Sequence, residues 1–190
     1  MVLLRIYIVG VACVGKSTIG KRLAEKLGYA FFDFDLEVES RMGEHISQIK
    51  DRTFNENGYR DEVKHILEEL LLEYEDNVVI AMPPTGLFQQ YNNIIKKHPD
   101  VLTVVLKDKA KYILERLTFF DDDSNPIFNV VNDRNRHRYH EVIKEDIEYF
   151  DRTYKKAKIS YFMNGRDIED SAEGLLNAIE EFQGENDTSV

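Results

Sequence analysis

Residues 10–18 read Gly10-Val11-Ala12-Cys13-Val14-Gly15-Lys16-Ser17-Thr18, and they satisfy the pattern G-x-x-x-x-G-K-[ST] at every position. Each residue type has a physical task. Gly10 and Gly15 permit backbone angles that turn successive N–H groups toward phosphate oxygens, with Cys13, Val14 and Thr18 lending their amides to the same cradle. Lys16 reaches the β- and γ-phosphates, Ser17 ligates Mg²⁺, and the helix that follows presents its positive end to the anion. The loop therefore predicts a site for a nucleoside triphosphate, ATP with Mg²⁺.

The flanks support this reading. Leu3–Val9 is an apolar, β-branched strand, and Lys16–Leu27 carries Ile19, Leu23, Ala24 and Leu27 at helical spacing, with Gly28 at the C-cap position. Beyond them, apolar runs alternate with amphipathic stretches. Strands are expected at Ala30–Phe34, Val78–Met82, Val101–Leu106 and Ile159–Met163. Helices are expected at Leu36–Met42, Ile46–Arg52, Tyr59–Tyr74, Leu87–Lys97, Lys109–Leu117, Tyr139–Lys156 and Ser171–Phe182. This rhythm predicts a three-layer α/β/α P-loop NTPase fold with a central, mostly parallel, five-stranded sheet. Residues 1–183 are expected to form one domain and residues 184–190 a disordered tail. Residues 118–138 interrupt the rhythm with loop chemistry and are expected to be a mobile lid.

The 190 residues are 43% hydrophobic and 32% charged, with a formal net charge of −10. That charge disfavours nucleic acid and anionic membrane, so an anionic substrate needs a local basic pocket. The single cysteine excludes an internal disulfide framework and a cysteine-based zinc site. The first apolar run is too short to span a bilayer. A cytoplasmic monomer is the expected setting.

The second strand ends Phe32-Asp33-Phe34-Asp35. Residues two apart on a strand share a face, so both carboxylates can point into the cleft beyond the sheet's C-terminal edge, one toward a metal-bound water and one toward a substrate hydroxyl. From spacing alone, two solvated turn carboxylates fit equally well. The chain resembles the shikimate kinase family, small P-loop enzymes that phosphorylate a hydroxyl of a cyclic carboxylic acid. The resemblance is carried by residues 3–72: the loop, the run from Ser17 to Gly43, Ile46–Ile49, and Gly58-Tyr59-Arg60-Asp61. It implies that Asp33 helps position Mg²⁺, that Asp35 contacts the reacting hydroxyl, and that Arg60, after an aromatic residue, grips the substrate carboxylate, a role suited to a guanidinium. Lys16, Asp35 and Arg60 are thus the expected catalytic set.

The chain departs from the family in several places. Cys13 stands where a further glycine is usual, and Met82-Pro83-Pro84-Thr85-Gly86 replaces a run of three glycines, making Pro84 part of an altered acceptor wall with one fewer N–H donor. Asn125-Pro126 replaces the Arg-Pro that begins the family's lid. The second carboxylate-binding arginine has only an out-of-register candidate, Arg152 before Tyr154. Arg134, Arg136 and Arg138 could compensate: on a helix over 133–140, Arg134 and Arg138 would share a face over the transferring phosphate, though a solvated basic patch explains them equally well. The resemblance implies that Arg116 and Arg166 flank the adenine.

Other signals carry less. Asp121-x-Asp123-x-Asn125 opens like a calcium loop but has Pro126 and Asn132 where glycine and glutamate belong. His137 and His140 have no third ligand. Asp108 reads as a strand-to-helix turn residue, and Tyr149, Phe150, Tyr154, Tyr161 and Phe162 as packing. The function expected is transfer of the ATP γ-phosphoryl group to a hydroxyl of a small carboxylic acid, by resemblance shikimate. The alternatives are a kinase of the same fold acting on a nucleotide or sugar acid, and an ATP-binding regulatory protein without transfer activity.

Overall fold

A computed structural model describes residues 4–128 and 130–187. Strand β1 (Arg5–Val9) runs into the phosphate loop and α1 (Lys16–Leu27) leaves it. Then come β2 (Ala30–Asp33), α2 (Phe34–Met42), α3 (Ile46–Arg52), α4 (Glu56–Glu73) and β3 (Val78–Ala81). After α5 (Gln89–Ile95) follow β4 (Val101–Lys107), α6 (Ala110–Glu115), the short strands β5 (Phe119–Phe120) and β6 (Pro126–Ile127), α7 (Arg136–Tyr154), β7 (Ile159–Phe162) and α8 (Ile168–Asp187).

The order β2-β3-β1-β4-β7 forms a five-stranded sheet in which every pairing is parallel. The central strands β1, β3 and β4 are short apolar runs because both of their faces are covered, whereas the edge strand β7 alternates buried and exposed residues. The pleat of β1 shows how. Ile8 faces α1, where a Cβ on Gly20 would lie 3.3 Å from its Cδ1. Arg5 and Tyr7 point the other way: Arg5 Nη1 donates to Leu71 O of α4 at 2.8 Å, and Tyr7 Oη donates to Gly86 O at 2.6 Å. Strands β3 and β4 flank β1 on opposite sides, so the chain reverses direction across the sheet beside the phosphate loop. Such a switch point opens a crevice at the strands' C-terminal ends.

Several boundaries differ from the sequence expectation for identifiable reasons. Asp33 caps α2, its carboxylate accepting from Asp35 N at 3.1 Å, so the helix starts at Phe34 and not at Leu36. Asp33 and Asp35 are therefore a strand end and a first helical turn, not two positions on one strand face. Asn55 caps α4 through Asn57 N and Gly58 N, which starts that helix at Glu56. Helix α7 starts at Arg136, so Arg134 precedes it and shares no helical face with Arg138. Within the lid stretch, β5 and β6 pair as an antiparallel hairpin whose turn is held by the Asp121 carboxylate, which accepts from Asp123 N and Asn125 N. Residues 184–187 continue α8, against the expected disorder; 188–190 lie outside the described residues.

The Tyr7 hydroxyl is buried and ties the central strand to the segment after β3. Tyr7→Phe leaves the Gly86 carbonyl without this partner and should lower unfolding free energy by about 1–3 kcal/mol in urea titration, with an unchanged m-value.

Candidate active site

The crevice is a cleft of about 1360 Å³, lined by the phosphate loop on one side and by α2, α3 and the Ala81–Pro84 segment on another. Gly10 stands behind it. Its φ is +154°, and a Cβ there would sit 2.6 Å from Leu106 O and 2.8 Å from Val14 Cγ1, so the turn out of β1 admits only glycine. Gly15 (φ +110°) and Cys13 (φ +58°) are also left-handed, and for Cys13 this is a strained choice that a glycine would avoid.

Lys16 Nζ rests on Val11 O at 3.0 Å within the loop. Burial penalises its charge and lowers its pKa to about 8. Ser17 Oγ bonds to Asp33 Oδ2, and Asp33 Oδ1 is the oxygen that caps α2. This pair of hard oxygen donors fits Mg²⁺, which takes one or two carboxylate or hydroxyl ligands and completes its shell with phosphate and water. No group of three or more His, Cys, Asp or Glu side chains gathers into a metal cage among the described residues. Asp35 faces the same space. Burial, then the neighbouring Asp33 charge, raises its pKa to about 6, with Lys16 and Lys50 opposing the shift. A carboxylate that titrates near neutrality is suited to accept a hydroxyl proton.

At the cleft's other end, Arg116 Nη1 donates to Val14 O at 3.0 Å and Nη2 to Asp108 Oδ2 at 2.6 Å. The buried Asp108 carboxylate also accepts from Lys109 N and Gly165 N. Asp108 is thus a structural clasp. Arg166 lines the cleft and donates to Tyr161 Oη at 3.1 Å. The hairpin crosses the opening: Cys13 Sγ lies 3.8 Å from Thr118 O at its base, while at its tip Ser47 Oγ donates to Asp122 O and Ser124 Oγ to Glu39 Oε1, each at 2.6 Å.

Of the residues expected at the site, Cys13, Val14, Gly15, Lys16, Ser17, Thr18, Asp33, Asp35, Pro84, Arg116 and Arg166 line this one cleft. Five others do not. Gly10 is behind it, and Arg134 and Arg138 are exposed outside it. Arg152 borders a separate surface pocket of about 480 Å³ with Phe88, Gln89, Tyr149, Thr153 and Lys156. Arg60 is 6% exposed on α4, with Nη2 on Asn57 Oδ1 at 2.7 Å and its guanidinium 5.1 Å from the Phe88 ring centre. Sequence reasoning missed Glu39, Ser47 and Lys50 as lining residues. Ile46 and Lys50 are four apart on α3, and that spacing alone puts Lys50 on the face Ile46 turns to the cleft.

The family model described as shikimate kinase matches residues 12–180. The shikimate kinase of Persephonella marina is 33% identical over 161 residues, spanning 85% of this chain and 90% of that protein. Among solved structures, a shikimate kinase from Bacteroides thetaiotaomicron superposes with a TM-score of 0.75 at 25% identity, covering 94% of this chain and 99% of that one. One from Acinetobacter baumannii in complex with shikimate gives 0.73 at 27% identity, covering 94% of each.

If Asp35 accepts the hydroxyl proton it must be ionised, and if Lys16 holds phosphate it must be protonated. Activity is then expected to fall as pH drops through about 6 and as it rises through about 8. A bell-shaped kcat/KM profile with these limbs is expected in the free enzyme, and Asp35→Asn should remove most of the rate. Because the folded pKa of Asp35 lies above its unfolded value, ionising it costs stability. Asp35→Asn should then match or exceed the parent in thermal melting at pH 8 while failing in the kinetic assay.

Proposed function

The chain belongs to the shikimate kinase family, and we propose that its reaction is transfer of the γ-phosphoryl group of ATP to a hydroxyl of shikimate. The observation that carries this reading is the meeting, in one cleft, of the phosphate loop, the Ser17–Asp33 pair and the Asp35 carboxyl. The loop amides and Lys16 hold the phosphates and meet the charge that develops on them in the transition state. Ser17 and Asp33 would hold Mg²⁺, whose chemistry is to neutralise phosphate charge. Asp35 orients the acceptor hydroxyl and takes its proton. Arg116 and Arg166 border the end of the cleft assigned to the adenine. The hairpin over residues 119–127 acts as the lid that excludes water from the transfer.

A monomer in a reducing cytoplasm, without affinity for nucleic acid or membrane, completes the proposal. It is supported by the net charge of −10 and the single, partly buried cysteine. No described helix is long and apolar enough to cross a membrane.

Two measurements test this. A coupled assay with ATP, Mg²⁺ and shikimate should give turnover; normal ATP affinity with no turnover would sink the acceptor assignment. Asp33→Asn should raise the Mg²⁺ concentration needed for half-maximal rate, by roughly tenfold or more if one charged ligand is lost, and an unchanged requirement would remove Asp33 from the metal site.

A further inference from the structure

Three hydrogen-bond donors are left over at the start of α4. Among the described residues, five buried side-chain polar atoms have no hydrogen-bond partner, and three of them are Tyr59 Oη, Arg60 Nε and Tyr91 Oη. A buried donor left unpaired costs free energy and calls for a partner that arrives from outside the fold.

The three belong together. Tyr59 and Arg60 are successive residues of α4. Asn57 Oδ1 accepts from Arg60 Nη2 at 2.7 Å and from Gln90 Nε2 at 3.4 Å, and the Phe88 ring centre lies 5.1 Å from the guanidinium. The start of α5 is thus packed on Arg60. Tyr91, next to Gln90, meets Phe34 edge-on at 5.4 Å, beside the residue that separates Asp33 from Asp35. Burial, then the charge of Asp35, raises the pKa of both phenols, so each keeps its proton and can donate.

The complement of a guanidinium N–H and two phenol O–H groups is an anion with several oxygen lone pairs, as a carboxylate has. Shikimate carries one, and other donors for it are scarce. Pro83 and Pro84 have no N–H, Arg152 borders a different pocket, and Arg134 and Arg138 lie outside the cleft. Glu56 lies 3.7 Å from Arg60 Nη1, too far for a hydrogen bond, and its side chain is 61% exposed. An incoming carboxylate can displace so solvated a neighbour at small cost.

We propose that the Tyr59 and Tyr91 hydroxyls join Arg60 in holding the acceptor's carboxylate, in place of a second arginine, and so set the preference for an acidic acceptor. This rests on the reading that the acceptor is shikimate.

Titration calorimetry with ADP and Mg²⁺ present can compare shikimate with an analogue that carries a hydroxymethyl group in place of the carboxylate. Tyr59→Phe and Tyr91→Phe should each weaken shikimate binding by roughly ten- to one hundred-fold and weaken the alcohol far less, so the preference for the acid shrinks. ADP affinity should stay the same. Because each hydroxyl is unpaired in the free protein, both variants should melt at or above the parent temperature without ligand, while shikimate raises that temperature less than in the parent. Phe variants that keep the parent's preference overturn the inference and leave the acceptor assignment intact. A fall in the ligand-free melting temperature of either variant also overturns it, since that hydroxyl would then have a partner within the fold. A parent protein that binds neither compound overturns both the inference and the acceptor assignment beneath it.

Discussion

The phosphate loop leaves the sheet through a gap, between the β4 backbone and the Val14 side chain, that no further side chain can enter. Val9 pairs with Val105 on the neighbouring strand, and one residue later Gly10 passes so close to Leu106 O that a Cβ would lie 2.6 Å away. This contact forces the chain to turn at the sheet's edge and not beyond it, which aims the next amides into the crevice. The aim is then fixed from outside the loop. Arg116 takes hold of Val14 O, and Asp108 holds Arg116 while accepting from the amides of Lys109, just before α6, and of Gly165. One buried carboxylate at the end of β4 thus fastens the loop, a helix start and the turn after β7 together. Donors held in this way cost no reorganisation when phosphate charge builds up, which is where electrostatic catalysis gains its advantage.

Desolvation acts on both signs of charge inside the cleft. It lowers the Lys16 pKa and raises that of Asp35, so each group is less comfortable in the free protein than it would be in water. The two penalties have opposite remedies. In the proposed reaction, phosphate oxygens would stabilise the Lys16 ammonium, and an acceptor hydroxyl would give the Asp35 carboxylate a hydrogen bond. A protein of net charge −10 can attract two anionic ligands only through such a local arrangement, where buried donors outweigh a screened global field. The strained φ of Cys13 belongs to the same economy: stability is given up where the loop must keep its shape.

The placement of the phosphate loop was legible in the sequence, down to Gly15 as the residue before α1 and Lys16 as its first position. The sheet was legible too, since buried parallel strands leave unmistakable apolar runs. Elements were misjudged at their ends, where caps decide. Asp33 and Asn55 each start a helix earlier than the hydrophobic period begins, because a side-chain oxygen satisfies the first amides without any apolar residue. The hairpin inside 118–138 was hidden because its strands are two residues long and its turn is closed by the Asp121 side chain, not by a glycine. Arg134 and Arg138 looked like partners only while a helix was assumed to begin before Arg136. Arg152 matched a family role by neighbouring Tyr154, yet α7 turns it to a different surface pocket.

The unequal legibility of the two halves has a physical origin. Phosphate is bound by backbone amides, and backbone can reach it only where side chains are absent, so the requirement is written as fixed glycines at fixed spacing. The other wall of the cleft is built by side chains from α2, α3 and the segment after β3, and many side-chain sets can present the same charges from such a frame. Here Pro83 and Pro84 withdraw donors, and the Tyr154 hydroxyl pins the wall by donating to Pro84 O at 3.0 Å. Constraint on the donor side is geometric and local, whereas on the acceptor side it is a balance of charge around a cavity. Only the first kind leaves a pattern that can be read along the chain.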